Sequence, residues 1–272
     1  MMQKRVSCLT LCLALFLTLS VHAAAAERST HIVVDGEPLA QTIATEVVNQ
    51  NTYVSYFAVV QALYPEAEAS WENGRSVARA SGLTLSVCPE QKYIEANGRC
   101  LYVPDGVRSS NGNMMVPVRV LAQALGAQVW WDESTQSVHF QSGSGPIQSG
   151  ESFYNSDDLY WLSRIISAES GNQPLSGKIA VGNVILNRVA DSRFPNTVKA
   201  VIFQSNQFTP VSNGSINRTP SSESVIAAKL ALEGANTAGN SLYFVNPRVS
   251  PSSWASRNRP YVATIGAHAF FA

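Results

Sequence analysis

The chain has 272 residues, 45% of them apolar and 14% charged, and its 19 basic and 19 acidic side chains cancel to no formal net charge. That length holds two modest domains with real cores, and the lack of any dense Lys/Arg cluster or reading motif argues against nucleic acid as a partner. Beyond the first residues, no segment reaches the roughly 20 apolar residues that a membrane span needs.

Residues 1–26 read as a secretory leader. Lys4 and Arg5 form a basic start, "CLTLCLALFLTLSV" an apolar run, and Ala24, Ala25 and Ala26 a small-residue cleavage site, so the mature chain is expected to begin near Glu27. Cys8 and Cys12 leave with the leader. Cys88 and Cys100 remain in an oxidising compartment, where a disulfide between them is the expectation, stabilising by roughly 3 kcal/mol. Charge is split: residues 27–150 carry 7 Lys and Arg against 12 Asp and Glu, and residues 151–272 carry 10 against 7. The mildly basic second half suits an anionic polymer without requiring one.

An internal repeat follows the leader. Aligning "HIVVDGEPLA" with "KYIEANGRCL" puts Gly36 on Gly98, and aligning "YVSYFAVVQAL" with "MVPVRVLAQAL" puts Leu63 on Leu125, both at an offset of 62. Each unit predicts a hairpin turning at Asp35-Gly36 or Asn97-Gly98, a short strand, a helix through "QAL", and a strand opened by an aromatic: Trp71 with Glu72, or Trp130 and Trp131 with Asp132.

The stretch "VPVRVLAQALGAQVWWDESTQSVHF" (residues 116–140) resembles the copper-amine-oxidase N-terminal-like domain, a stalk module. The resemblance implies a structural or wall-adhering role for residues 27–141. It imports no metal, because His31 and His139 are too few and too scattered for a copper site. "QSGSGPIQSGES" then reads as a flexible Gly/Ser linker at residues 142–154.

From residue 155 the pattern turns helical. Ser156 is placed to cap a helix, with Asp157 and Asp158 in its first turn and Gly171 closing it. "SGKIAVGNVILNRVAD" is apolar on nearly every side and predicts a central buried helix. "NTVKAVIF" predicts a short one, and Thr219 with Pro220 opens another through "SVIAAKLALEG". "NSLYFVNP" and "PYVATIGAHAFF" predict strands. Helices first and strands last give an α+β domain.

Glu169 falls on the face of Leu162, Ile165 and Ile166. One reading is a structural carboxylate, paired with an arginine such as Arg188 or exposed at a fraying helix end. The other is a general acid, because burial and the negative end of the helix dipole both hold its proton near neutral pH. Of the remaining carboxylates in this half (Glu151, Asp157, Asp158, Asp191, Glu223 and Glu233), Asp191, directly after a helix, is the one candidate for a second carboxylate, and a bland reading is preferred for it as for the others.

"AESGNQPLSGKIAVGNVILNRV" (168–189), "NQFTP" (206–210), "SLYFVNP" (241–247) and "ATIGAHAFF" (263–271) together resemble the SleB/CwlJ family of cell wall hydrolases, of the spore-cortex-lytic type. The resemblance implies a lysozyme-like, mainly helical domain with a small antiparallel sheet over residues 155–272. It further implies cleavage of the peptidoglycan glycan strand, with Glu169 as catalytic glutamate and no cofactor. A lytic transglycosylase needs one carboxylate, which serves as acid and then as base, so that outcome is preferred to muramidase-type hydrolysis. Gln207, Phe208, Tyr243, Phe244 and Asn246 fall in the matching stretches as candidate sugar contacts, with Phe208 and Phe244 read equally as core. In a strand Tyr243 and Phe244 must face opposite ways, and Tyr243 is the choice for the cleft. Asn187 either orients Glu169 or caps its own helix, and His268 stands where the family pattern has histidine. Metal- or cysteine-dependent peptidases fail on inventory; an inactive wall-binding protein is the alternative from another class.

Overall fold

A computed structural model describes residues 30–40 and 43–272. The leader read in residues 1–26 lies outside the described residues. No helix among the described residues is long and apolar enough to cross a membrane.

The first unit runs β1 (His31–Val34), β2 (Glu37–Pro38), β3 (Thr45–Val48), β4 (Asn51–Ser55), α1 (Tyr56–Leu63), β5 (Glu68–Glu72) and β6 (Arg75–Ala80). After β7 (Leu83–Val87), the second unit repeats the order as β8 (Tyr93–Ala96), β9 (Arg99–Tyr102), β10 (Arg108–Ser110), β11 (Asn113–Pro117), α2 (Val118–Leu125), β12 (Gln128–Asp132) and β13 (Ser137–Gln141). Asp35 and Gly36 have φ of 50° and 87°, and Asn97 and Gly98 of 50° and 78°. Two successive positive φ values make the two-residue turn that matches strand twist. The tryptophans sit late in their strands rather than opening them, and each unit closes on a further hairpin strand.

The two units interlock. β4 and β11 pair antiparallel with Tyr53 opposite Pro117, Val54 opposite Val116 and Ser55 opposite Met115. Repeat-equivalent residues thus meet about one point, and a pseudo-twofold axis passes between Val54 and Val116. β13 of the second unit pairs in parallel with β1 of the first, giving the sheet order β12-β13-β1-β2. The counterpart sheet is β5-β6-β7-β8-β9, with β7 inserted between the units. Val59 and Val60 of α1 and Leu121 and Leu125 of α2 pack with Leu85, Ile94, Val138 and Phe140 into one core.

The expected disulfide does not form. Cys88 and Cys100 are free thiols, the second buried. Cys88 follows β7 and Cys100 lies on β9, with β8 hydrogen-bonded between them. Two strand spacings come to about 9–10 Å, beyond the roughly 7 Å that a disulfide spans between Cα atoms. The Cys88 thiol instead points to the Gly74 carbonyl, and burial pushes the Cys100 thiol up to about 12.

Residues 142–154 are tied down rather than loose. Ile147 donates its N–H to the Ala124 carbonyl and packs on the N-terminal core, and the Asn97 side chain donates to the Ile147 carbonyl at 2.8 Å. α3 (Gly150–Phe153) follows, capped by Ser149.

The C-terminal half is α4 (Ser156–Ser170), α5 (Leu175–Ala190), α6 (Val198–Ile202), α7 (Thr209–Ser212), α8 (Ser222–Leu232), β14 (Tyr243–Val245), α9 (Trp254–Asn258), β15 (Tyr261–Ile265) and β16 (His268–Phe271). α5 is buried on every side from Gly177 to Ile185, as its all-round apolar pattern requires. The caps move by one or two residues: Asn155, not Ser156, caps α4, and Ser221, not Thr219, caps α8. "PYVATIGAHAFF" is not one strand but a hairpin, β15 and β16, in an antiparallel sheet ordered β14-β16-β15. Tyr93 and Cys100, from the edge of the five-stranded sheet, pack into the second core with Ile166, Ile179 and Ala228.

Candidate active site

Glu169 stands on the last turn of α4, half-buried, above Leu162, Ile165 and Ile166, which are fully buried. Burial pushes its carboxyl pKa up, because the charged form loses hydration. Among the described residues no cation forms an ion pair with it. The structural reading, in which Arg188 neutralises Glu169, therefore does not hold.

The short connection from Gly171 to Pro174 turns α5 antiparallel to α4. Asn155 and Asp158 at the start of α4 consequently line one cavity with Leu186 and Val189 near the end of α5. Glu169 shares its end of the bundle with three other segments. Gln173 Oε1 accepts the Ala267 N–H at 2.7 Å and holds the β15–β16 turn against the α4–α5 connection. Gly266 in that turn has φ +59°, and a Cβ there would fall 2.2 Å from Gln173 Oε1, so only glycine fits. Ser167 Oγ accepts the Ser221 N–H at 3.2 Å, which brings the start of α8 alongside, and Glu223 there pairs with the buried Lys178 of α5.

The other carboxylates are engaged elsewhere. Asp191 is bridged to Arg193, which lowers its pKa to about 2, and it follows the far end of α5. A helix of 16 residues is about 24 Å long, so Asp191 is no partner for Glu169. Glu233 pairs with Arg99 and Asp157 accepts the Trp161 indole N–H.

Tyr243 and Phe244 face opposite ways, as strand geometry demands. Phe244 lies 6.4 Å from Phe208, 5.2 Å from His268 and 6.0 Å from Phe270, ring centre to ring centre. Tyr243 lies 5.5 Å from Trp254 and 6.4 Å from Phe194. Phe208 is core rather than groove, with 7% of its surface exposed. His268 is equally buried, its Nδ1 has no hydrogen-bond partner among the described residues, and burial lowers its pKa, which favours the neutral ring.

Arg188, weighed in the sequence only as a partner for Glu169, instead ties Leu242, Gln207 and the surrounding rings together. It is buried, with Nε donating to the Leu242 carbonyl at 2.8 Å and Nη1 to Gln207 Oε1 at 3.1 Å. The rings of Phe194, Phe208 and Tyr243 surround its guanidinium at 5.1 to 5.5 Å, which offsets the missing carboxylate. Gln207 is itself exposed, so Arg188 sets the direction of a solvent-facing amide. No sequence signal connects residues 19 apart across a helix end.

Asn187 does neither of the things expected of it. Its Nδ2 donates to the Gly239 and Ser241 carbonyls, both at 2.9 Å, fastening the loop before β14 at the end of α5 opposite Glu169. The Asn246 side chain accepts the Arg248 N–H at 3.0 Å and shapes the turn after β14. Glu169 can deliver one proton from a half-buried carboxyl, and Gln207, held by Arg188 near the far end of α5, presents an exposed amide at that end.

Residues 172–271 match the Cell Wall Hydrolase family, and residues 33–140 match the Copper amine oxidase N-terminal domain. Glu169 lies just before the first of these matches. Over 117 residues the chain is 39% identical to a spore cortex-lytic enzyme of Bacillus cereus, across 43% of this chain and 45% of that one. Over 140 residues it is 34% identical to a spore cortex-lytic enzyme of Oceanobacillus iheyensis, across 47% and 50%. The chain thus spans about half the length of the curated relatives it matches. The solved catalytic domain of the germination-specific lytic transglycosylase SleB from Bacillus anthracis is 36% identical, with 46% of this chain and 100% of that one covered and a TM-score of 0.42. The copper in one family's name finds no donor set: His139 is stacked on Trp130 and bonded to Ser137, and among the described residues no group of three or more His, Cys, Asp or Glu could hold a metal.

Proposed function

We propose that this chain, whose C-terminal domain belongs to the cell wall hydrolase family and whose N-terminal domain is of the copper amine oxidase N-terminal type, cleaves the glycan strands of peptidoglycan as a lytic transglycosylase. The observation that carries the reading is Glu169: a half-buried carboxyl with a raised pKa and no ion-pair partner among the described residues. The spore cortex-lytic relatives support peptidoglycan as the substrate.

In this mechanism Glu169 protonates the glycosidic oxygen as the bond to muramyl C1 breaks and positive charge develops at C1 and the ring oxygen. The resulting carboxylate then takes the proton of the same sugar's 6-hydroxyl, whose oxygen closes on C1 to give an anhydro ring and restores the acid. One group thereby serves as acid and as base, and no water is consumed. Asp191, bound to Arg193, offers no second carboxylate for direct hydrolysis. Gln207 and Tyr243 take sugar contacts further along the glycan strand, toward the Arg188 end of α5, and Asn246 takes one after β14; Asn187, Phe208 and His268 leave that list because the first holds a loop and the other two are buried. The division into a stalk at 27–141, a connector at 142–154 and a catalytic domain at 155–272 belongs to the same reading. So does export through the leader in residues 1–26 to the cell wall or spore envelope.

The test is mass spectrometry of soluble fragments released from purified cortex and vegetative peptidoglycan by the full chain and by Glu169→Gln. Muropeptides one water lighter than hydrolysis products, absent with the variant, are the expected result. Ordinary reducing ends make the protein a hydrolase, and equal release by both proteins removes Glu169 from the mechanism.

A further inference from the structure

The axis between Val54 and Val116 gives each repeated element of one half of the N-terminal domain a counterpart in the other, β7 alone standing outside the pairing. Each half places an exposed tryptophan across its closing hairpin: Trp71 faces Ser76, and Trp131 faces Val138. In the first half the space beside that pair is filled. Tyr56 opens α1, is buried, and brings its hydroxyl to the Ser76 hydroxyl at 2.5 Å, while Phe57 packs on the core next to it. At the matching positions of the second half stand Val118 and Arg119, with Val138 in place of Ser76. Removing a phenol and its partner leaves a groove of about 370 Å³, lined by Val118, Val138, Trp131, Arg119 and the Gln50 turn between β3 and β4.

We propose that this groove is a carbohydrate site that holds a stretch of N-acetylated glycan strand, apart from the residues around Glu169. An exposed indole offers a flat apolar surface to the C–H face of a pyranose, and the Gln50 amide and Arg119 guanidinium supply hydrogen bonds for hydroxyls and N-acetyl carbonyls. Arg119 is exposed and, among the described residues, has no ion pair, so its donors are available. The volume falls within the range of small-ligand sites, about 300–1,000 Å³. Among the described residues no carboxylate lines the groove, so an uncharged or anionic sugar meets no repulsion from them. The choice of glycan as occupant rests on the reading of the C-terminal domain given above. Two glycan sites on one chain keep a strand near Glu169 at a high effective concentration.

The experiment is co-sedimentation of the full chain carrying Glu169→Gln with insoluble vegetative peptidoglycan, intact and stripped of its stem peptides, with fragment release followed in the same tubes. Trp131→Ala removes the platform, and Val118→Tyr refills the groove in the manner of Tyr56. Each is expected to weaken binding about tenfold to both preparations, equal to about 1.4 kcal/mol, and Trp131→Phe is expected to restore it. Unchanged binding in both variants overturns the site. Retained binding to intact wall with none to stripped strands overturns the glycan as occupant. Fragment release by the Glu169→Gln parent would count against the catalytic reading alone, because the binding comparison is made within that parent.

Discussion

Arg99 of the N-terminal domain and Glu233 of the C-terminal domain, 134 residues apart, meet in a two-pronged ion pair at 2.7 and 2.6 Å. Both side chains are almost wholly buried, 10% and 3% exposed, Tyr154 donates to the same carboxylate at 2.8 Å, and the Phe153 ring lies 3.4 Å from the Arg99 guanidinium. The pair sits where the β8–β9 hairpin meets α8, and Lys229 Nζ adds a bond to the Gly98 carbonyl at 2.8 Å. The two domains are therefore joined through chemistry as well as through the chain.

Glu233→Ala strands a buried guanidinium, and removing one partner of a buried pair costs about 3–5 kcal/mol. Calorimetry is expected to register the loss as an early, separate transition for one domain. A melting profile superimposable on the parent would mean that the pair contributes nothing to docking.

The Glu169 carboxyl has its folded pKa raised by burial, so the stability it contributes is full below the unfolded pKa and is lost as pH rises through the folded value. Glu169→Gln removes that loss. The variant is expected to melt higher than the parent at pH 7 and to converge with it in acid, while strand cleavage falls by about 10²–10⁴-fold. In the parent, kcat/KM falls on the alkaline side as the acid ionises. Thermal melts across pH and a pH–rate profile check the two halves of the statement.

Arg188→Lys keeps a charge but loses the planar fork that reaches Leu242 and Gln207 together. Cleavage is expected to fall about tenfold, or 1.4 kcal/mol of transition-state stabilisation, with the alkaline limb of the profile unmoved because Glu169 is untouched. Arg188→Met leaves the Leu242 carbonyl unpaired and costs about 1–3 kcal/mol in denaturant unfolding.

Cys88 is part-exposed and Cys100 buried. Iodoacetamide is expected to label Cys88 in the native protein, and both residues after denaturation without reductant. A species protected at both sites would contradict the strand order between them.

Much of the fold is legible in the sequence because the repeat writes its turns twice. Asp35-Gly36 and Asn97-Gly98 fix two hairpins, and the apolar girth of α5 places it centrally. The burial of Glu169 is legible because helical phase sets it beside Ile165 and Ile166, while its catalytic role is read from the family resemblance of the surrounding motifs. What escapes is pairing between distant segments. β7 stands outside the repeat and is not legible from it, and β8 pairs between β7 and β9, which separates Cys88 from Cys100 and removes the disulfide. Asn187 and Arg188 are neighbours on one helix end and hold different loops, which only the packed sheet reveals. The caps shift because Asn155 and Ser221 stand next to other residues that cap nearly as well.

The crossing of the two units has a further consequence. Each outer sheet draws one hairpin from each unit, so a single 62-residue copy on its own would present open strand edges at both ends. The second copy covers one of those edges in each outer sheet, β13 against β1 directly and β6 against β8 through β7. The N-terminal domain thus has the layout of a twofold dimer carried on one polypeptide, and because both copies lie in one chain they need not be identical: one holds Tyr56 where the other holds Val118.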